Sequence, residues 1–286
     1  MQSVFRNSGS NSVNYELSNS NFQIIQQFLS MQCGIVLNEN KHYLVKNRLI
    51  ALLDKFGLDS FTDLTNTLES NSAQSGTLRN AVIDAMTTNE TSWFRDVKHF
   101  SVLKETIFPT LLTENSQPLK IWSAACSSGQ EPYSISITAL QNTPKPCSVQ
   151  ILGTDISETM LYEAKQAIYS ELALSRGIDA ATQARFFQNT TKGYSLNNEV
   201  TQQVSFQQLN LLKPFSSLGL FDIIFCRNVL IYFSDTVKFD ILNRMSQNLK
   251  PGGYFFLSST ESMPIGLDVF ERQHGSLVNY YKKTRS

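Results

Sequence analysis

Ser123-Ala124-Ala125-Cys126-Ser127-Ser128 is a run of small residues between an apolar pair, Ile121-Trp122, and Gly129-Gln130-Glu131-Pro132. Small side chains let a ligand lie close against the backbone, and Gly129 permits a tight turn. Asp155 stands 26 residues beyond Gly129, at the end of the apolar stretch Val149–Thr154. An acid there is placed either to accept hydrogen bonds from the two hydroxyls of a ribose or to cap the helix that follows. Asn89, Thr91 and Arg95 fall in one short polar loop, Thr87–Asp96, which is either an interdomain hinge or a polar lid over the small-residue stretch. Arg227 and Asn228 directly follow Phe221-Asp222-Ile223-Ile224-Phe225-Cys226, a buried-strand pattern, and are candidates for the same ligand edge. The loop lacks both GxGxxG and GxxxxGK[ST], so a dinucleotide or ATP is disfavoured. A ligand with a ribose and no phosphate fits better, and S-adenosylmethionine has that property together with a positive sulfonium.

The elements that must position these groups are legible in the apolar spacing. Residues 1–20 are polar and rich in Asn and Ser, and read as a disordered tail. Four helices follow: one from Asn21 with Ser20 as its cap, then Glu39 to Lys55, Ser60 to Leu68 and Thr77 to Met86. A further helix is expected from Asp96 to Leu112. Beyond it, strands alternate with helices. Strands are expected at Ile121-Trp122, Val149–Thr154, Val204–Phe206, Phe221–Cys226 and Tyr254–Leu257, with a last one over Leu277–Tyr281. Helices are expected after Glu131, over residues 157–168, over Ala180–Phe187 and over Val237–Leu249, and Phe186–Val204 reads as a hairpin-like insertion. Alternation of this kind predicts a doubly wound, mostly parallel sheet with helices on both faces.

Composition sets bounds. Lys and Arg balance Asp and Glu at 24 each, which gives no support for a general nucleic-acid or membrane binder. No run approaches the ~20 apolar residues of a membrane span. Cys33, Cys126, Cys147 and Cys226 show no CxxC spacing and the three histidines are scattered, so no metal is expected. No basic residue flanks Cys126 to stabilise a thiolate, which favours a packing role. The expected second helix carries Lys41, His42, Lys46, Arg48 and Lys55. That is either a solvated face or a docking strip for an acidic partner.

Five strings in order, T-T-N-E-T-x-W-F-R-D (87–96), W-S-A-A-C-S-S-G-Q-E-P-Y-S (122–134), G-T-D-I-S (153–157), F-D-I-I-F-C-R-N-V-L-I-Y-F (221–233) and L-K-P-G-G-Y (249–254), closely resemble the chemotaxis receptor glutamate O-methyltransferases, the CheR family. The resemblance implies a class I S-adenosylmethionine-dependent methyltransferase fold over 91–286, a helical domain over 21–90 and an inserted β subdomain over 186–204. It implies cytoplasmic methylation of glutamates on chemoreceptor helices, with S-adenosylhomocysteine as product. Carried over by position, it assigns Asn89, Thr91, Arg95, Ala124, Glu131, Asp155, Asn210, Leu211 and Asn228 to the cofactor, and Arg95 and Tyr232 to catalysis. Lys41, Lys46 and Arg48 become candidates for receptor docking. Three positions depart from relatives: Ala167-Ile168-Tyr169 for Gly-Ile-Tyr, Ser258–Glu261 for Gly-His-Ser-Glu, and Gln188–Tyr194, which lacks the Gly-x-Gly loop that grips a receptor's C-terminal pentapeptide. Pentapeptide tethering is therefore not expected.

A glutamate carboxylate is already ionised at neutral pH and needs no general base to attack a sulfonium methyl. Catalysis then reduces to in-line positioning and desolvation, with Arg95 and Tyr232 aiming the acceptor. Two rivals stand beside this reading. One is a methyltransferase for another acceptor, against which the Asp/Asn-Pro-Pro-Tyr motif of amino-methylating relatives is missing. The other is a cofactor-binding sensor or scaffold without chemistry.

Overall fold

The computed structural model describes residues 15–114, 117–142, 149–273 and 278–284. Residues 1–14 of the expected tail, Cys147 and Leu277 lie outside them. The chain divides into two compact units. One holds the described residues up to Phe28 together with Leu37–Met86, and the other holds Leu29–Val36 and the chain from Thr87 onward.

The smaller unit is helical. Helix α1 spans Asn19–Cys33, α2 His42–Phe56, α3 Phe61–Glu69 and α4 Ala73–Met86. Ser20 lies inside α1 and is not its cap; the hydroxyl of Ser18 accepts the Asn21 N–H at 3.2 Å instead. In α2, Val45, Leu49, Leu52 and Leu53 are buried, the recurrence of one helix face. Gly57, at φ +64°, ends that helix in the left-handed conformation that costs glycine least. The Ser60 side chain caps α3 by accepting the Asp63 N–H at 3.1 Å.

The expected single helix from Glu39 divides into a 3₁₀ turn, Glu39–Lys41, and α2. Lys41 is exposed on the turn. His42 packs its ring on Phe22 at 5.2 Å, with Nε2 buried. The Arg48 guanidinium donates to the Met86 carbonyl at 2.9 Å. Lys46 and Arg48 are two positions apart and leave α2 about 200° from one another, so they do not lie on one narrow stripe.

The larger unit opens with α5 (Val97–Val102), a π-helical turn (Leu103–Ile107) and α6 (Phe108–Glu114), where a single helix from Asp96 was expected. Strands and helices then alternate: β1 (Leu119–Ala124), α7 (Gln130–Asn142), β2 (Val149–Asp155), α8 (Glu158–Gln166), β3 (Ile168–Tyr169), α9 (Glu171–Leu174), α10 (Ala180–Phe186), β4 (Phe187–Thr190), β5 (Gly193–Leu196), α11 (Asn198–Thr201), β6 (Val204–Gln208), β7 (Phe221–Cys226), α12 (Asp235–Asn248), β8 (Leu249–Phe256), β9 (Phe270–Arg272) and β10 (Tyr280–Lys283). Among the described residues the main sheet runs β6-β2-β1-β7-β8-β10-β9. The first five of these strands are parallel and β10 is antiparallel to both its neighbours.

Every residue of β7 is buried. Ile121, Ile223, Phe225 and Phe256 pack with Phe100, Leu103 and Ile135 in one core cluster. Trp122, Ile224 and Phe255 pack with Ile241, Leu242 and Met245 of α12 in a second. Burying each such side chain contributes about 1.5–3 kcal/mol.

Two further expectations change. Ile168 and Tyr169, read as a helix end, form β3, which pairs with β5 in a small antiparallel sheet ordered β3-β5-β4. The Lys250–Gly253 turn is an irregularity inside β8, between its pairings Phe221↔Leu249 and Ile223↔Tyr254.

Candidate active site at the carboxyl edge of the sheet

β1 pairs with β2 on one side and with β7 on the other, and Ala124 is level with Cys226. This is the point where the chain order reverses, and it opens a crevice beyond the strand ends. The loops at this edge are strained. Phe94 and Asp96, Ala125 and Ser127, and Asn228 take positive φ of 46°, 60°, 57°, 50° and 58°. Left-handed backbone at non-glycine residues costs on the order of 1 kcal/mol or more each, and persists only where surrounding contacts hold it. Gly129, at φ +93°, passes so close to α8 that a Cβ would sit 2.9 Å from that of Ala164.

The contacts that hold these loops converge on Arg227, which is 5% exposed. Its Nη1 donates to Glu131 Oε2 at 2.7 Å, and its Nη2 to Asp96 Oδ2 at 2.7 Å and to the Arg95 carbonyl at 2.6 Å. One buried cation thus joins the polar loop, the start of α7 and the end of β7. The other carboxylate oxygen of Glu131 accepts from the Ser123 hydroxyl at 2.7 Å. The Ser127 hydroxyl donates to the Asn89 carbonyl at 2.8 Å. The Phe94 N–H donates to the Ser134 hydroxyl at 3.0 Å.

Asp155 is buried at the end of β2, and its two oxygens accept the N–H groups of Ser127 and Ser157 at 2.8 and 2.9 Å. It does not cap α8; the Ser157 hydroxyl does, accepting the Met160 N–H at 3.1 Å. Glu261, also buried, accepts the N–H groups of Asn228, Leu230 and Ser258 at 2.9, 3.0 and 3.1 Å, which fixes the loop after β7.

Residues 89–277 match CheR methyltransferase, SAM binding domain, and residues 20–87 match CheR methyltransferase, all-alpha domain. The chain is 46% identical over 254 residues to chemotaxis protein methyltransferase 1 of Pseudomonas aeruginosa, covering 86% of this chain and 91% of that one. It is 45% identical to the chemotaxis protein methyltransferase of Vibrio anguillarum, covering 89% and 94%. It is 36% identical to that of Escherichia coli, covering 86% and 85%. The chain belongs to the CheR methyltransferase family.

The residues at the edge fit the S-adenosylmethionine of a CheR domain. The walls are small at Ala124, Ala125 and Ser127, and the fixed charges are carboxylates, suited to hydroxyls and a cation. Carboxylate oxygens such as those of Asp155 accept more than one hydrogen bond, the chemistry that ribose hydroxyls require. Of the expected residues, the structure gathers Asn89, Arg95, Ala124, Glu131, Asp155 and Asn228 through the contacts above. Thr91 belongs to the same loop. Arg95 is half-buried, and its Nη1 donates to the Glu90 carbonyl at 3.0 Å. Asn210 donates to the Gln32 carbonyl at 2.6 Å and accepts the Leu212 N–H at 3.0 Å. Leu211 is buried in the core cluster beneath the β7 loop. Tyr232 ends a 3₁₀ turn, Leu230–Tyr232, and its carbonyl accepts the Val36 N–H at 3.1 Å. Cys126 is buried, and burial pushes its thiol well above the ordinary range, against a nucleophilic role.

The sequence reading missed the hub function of Arg227 and missed Glu261 altogether. Ser258-x-x-Glu261 has the spacing of a capping box, in which the acid reaches back to the serine N–H, and that spacing was the available signal.

Arg227→Met removes the cation and leaves Glu131 and Asp96 uncompensated. Loss of one partner from a buried ion pair costs about 3–5 kcal/mol. A denaturant midpoint lowered accordingly is expected, with cofactor affinity lost in whatever remains folded. An unchanged midpoint would refute the hub.

His99 supports the same loop from below. With the proton on Nε2 it donates to the Leu257 carbonyl at 2.8 Å. Burial, reinforced by the Arg227 charge, lowers its pKa to about 4. Unfolded, an imidazole titrates near ~6.5. Between those values the unfolded chain binds the extra proton, so the stabilisation is intact above about pH 6.5 and fades toward pH 4, at up to about 1.4 kcal/mol per pH unit. His99→Gln should therefore lose less stability than wild type between about pH 7.5 and about pH 5, by about 2 kcal/mol. Equal losses, measured by denaturant unfolding at each pH, would move the effect elsewhere.

Proposed function

We propose that this chain transfers the methyl group of S-adenosylmethionine to glutamate side chains on the cytoplasmic helices of chemoreceptors. The products are glutamyl methyl esters and S-adenosylhomocysteine, and the role is chemotactic adaptation. The reading is carried by the convergence, through Arg227, of the Arg95-Asp96 loop on Glu131 where β1 and β7 end. Family membership supplies the reaction class. The curated relatives' names supply the chemotaxis context, and a cytoplasmic location follows from such an acceptor.

When bound, S-adenosylmethionine supplies an activated methyl on a sulfonium. In this reading Asp155, aimed by Ser127 and Ser157, accepts the ribose hydroxyls. Glu131 faces the methionyl part, Asn210 and Leu211 the adenine, and Asn89, Thr91, Ala124 and Asn228 complete the walls. Arg95 orients the acceptor carboxylate by charge-assisted hydrogen bonds and the Tyr232 hydroxyl adds a neutral one. Arginine also stabilises the ground-state anion, so its contribution is aim more than attraction.

Receptor recognition is assigned to direct contact with acidic helices. β4 and β5 are joined by Thr191-Lys192 alone, a tight turn in place of a longer peptide-gripping loop. Lys41, Lys46 and Arg48 present charge from more than one side of the smaller unit and act mainly through steering. No tail tether, nucleic acid or membrane insertion enters this reading. Among the described residues no helix is long and apolar enough to cross a membrane.

The experiment is incubation with radiolabelled S-adenosylmethionine and receptor cytoplasmic fragments, full-length and tail-truncated, over a salt series. Base-labile label on glutamate, falling with salt and indifferent to truncation, is expected. Cofactor binding without label on any fragment would select the scaffold alternative.

Asp155→Ala should weaken cofactor binding by about 1.5–3 kcal/mol, the cost of losing a charged hydrogen-bond partner. Unchanged affinity by calorimetry in a folded variant would sink the ribose assignment. Tyr232→Phe should leave cofactor affinity near wild type and lower the methyl-transfer rate. Parallel losses in binding and rate would place Tyr232 on the cofactor side instead.

A further inference from the structure

A cleft of about 430 Å³ opens beside the polar loop, lined by Glu90–Asp96 and by Arg176-Gly177. Arg176 comes from the turn between α9 and α10, far from the loop in sequence. Gly177 brings it there. At φ +116°, Gly177 passes so close that a Cβ would lie 2.1 Å from the Trp93 carbonyl oxygen, a distance no side chain tolerates. The turn is itself ordered. The Ile178 N–H donates to the Leu174 carbonyl at 3.1 Å, and Asp179 caps α10 by accepting the Thr182 N–H at 2.7 Å. Arg176 is thus pinned at the mouth of the cleft by backbone contact.

The polarity of the cleft favours an anion. Asp96 is already committed to Arg227. Arg48, Arg79, Arg227 and Arg244 all donate to backbone carbonyls or carboxylates. Arg176, by contrast, is exposed and has no hydrogen-bond or ion-pair partner among the described residues. Trp93 also lines the cleft, and its indole N–H is buried without a partner among those residues. Arg95, Arg176 and Trp93 together leave donors unmatched against the single exposed carboxylate of Glu90.

We propose that Arg176 is a positioning residue for the acceptor protein, binding the carboxylate of an acidic side chain one helical turn from the glutamate that Arg95 aims. This rests on the function proposed above, since it takes the acceptor to be an acidic helix. Residues three or four apart lie on the same helix face, within reach of two arginines on one cleft. Two anchored carboxylates would set both the position and the rotation of the acceptor helix, where one would set only position.

The test is initial-rate kinetics of the full chain on a receptor cytoplasmic fragment, with calorimetry on S-adenosylhomocysteine. Arg176→Glu should raise KM for the fragment by about tenfold with kcat held, and Arg176→Ala by about threefold with a shallower salt dependence. Arg176→Lys should recover most of the loss, and S-adenosylhomocysteine affinity should match wild type in all three. Replacing the acidic neighbours of the acceptor glutamate by glutamine should raise KM for wild type and not for Arg176→Ala. Label transferred by wild type with an unchanged KM for Arg176→Glu would overturn the role of Arg176 alone. A parallel loss of S-adenosylhomocysteine affinity would overturn it too, by placing Arg176 on the cofactor. Absence of label with wild type on every fragment would reject the acceptor class and this role with it.

Discussion

A single guanidinium holds the working edge together. Arg227 is buried where β7 ends, its Nε without a partner among the described residues, and a buried cation is tolerable only when its charge is met. Glu131 and Asp96 meet the charge, and the Arg95 carbonyl takes a further hydrogen bond. Its partners come from two segments, the start of α7 and the end of the polar loop, and Arg227 itself belongs to a third, the end of β7. The three segments are separate in sequence and would drift independently without a common ligand. Arginine suits this role better than lysine because its planar fork addresses several acceptors at fixed angles.

That tie explains why strained backbone survives here. Phe94, Asp96, Ala125, Ser127 and Asn228 are left-handed without being glycine, and four of the five are directly anchored. Phe94 donates to Ser134, Asp96 pairs with Arg227, Ser127 donates to Asp155, and Asn228 donates to Glu261. Carboxylates supply two of these four anchors, and a charged acceptor makes a stronger bond to a backbone N–H than a neutral one. The edge is thereby rigid before any ligand arrives. Methyl transfer to an ionised acceptor asks for alignment more than for acid–base chemistry, so preorganisation is what such a site needs.

Much of this was readable from the chain. The parallel sheet followed from strands alternating with helices, and the edge followed from Ser123–Ser128 and Asp155 at strand ends. Elements defined by long apolar periodicity came out nearly in place, β7 and α12 among them. Short elements did not. Ile168-Tyr169 offers two residues, too few to show a period, and becomes strand only because Ser195 and Tyr194 of β5 lie opposite. The helix expected from Asp96 starts one residue later, because Asp96 stands in left-handed geometry with its carboxylate on Arg227, 131 residues away.

By itself the sequence determined the fold class, the family and the identity of the groups at the edge, because those depend on local residue type and on ordered motifs. Tertiary structure alone decided how those groups are used. Arg227 and Glu131 each stand out in the sequence as edge residues, but only the pairing of β1 with β7 makes them neighbours. Arg48 reads as a free surface cation until the fold brings the Met86 carbonyl to it. Arg176 reads as an ordinary turn residue until Gly177 seats its loop against Trp93. In each case the deciding interaction is short-ranged in space and long-ranged in sequence, so its energy is invisible until the backbone has closed the distance.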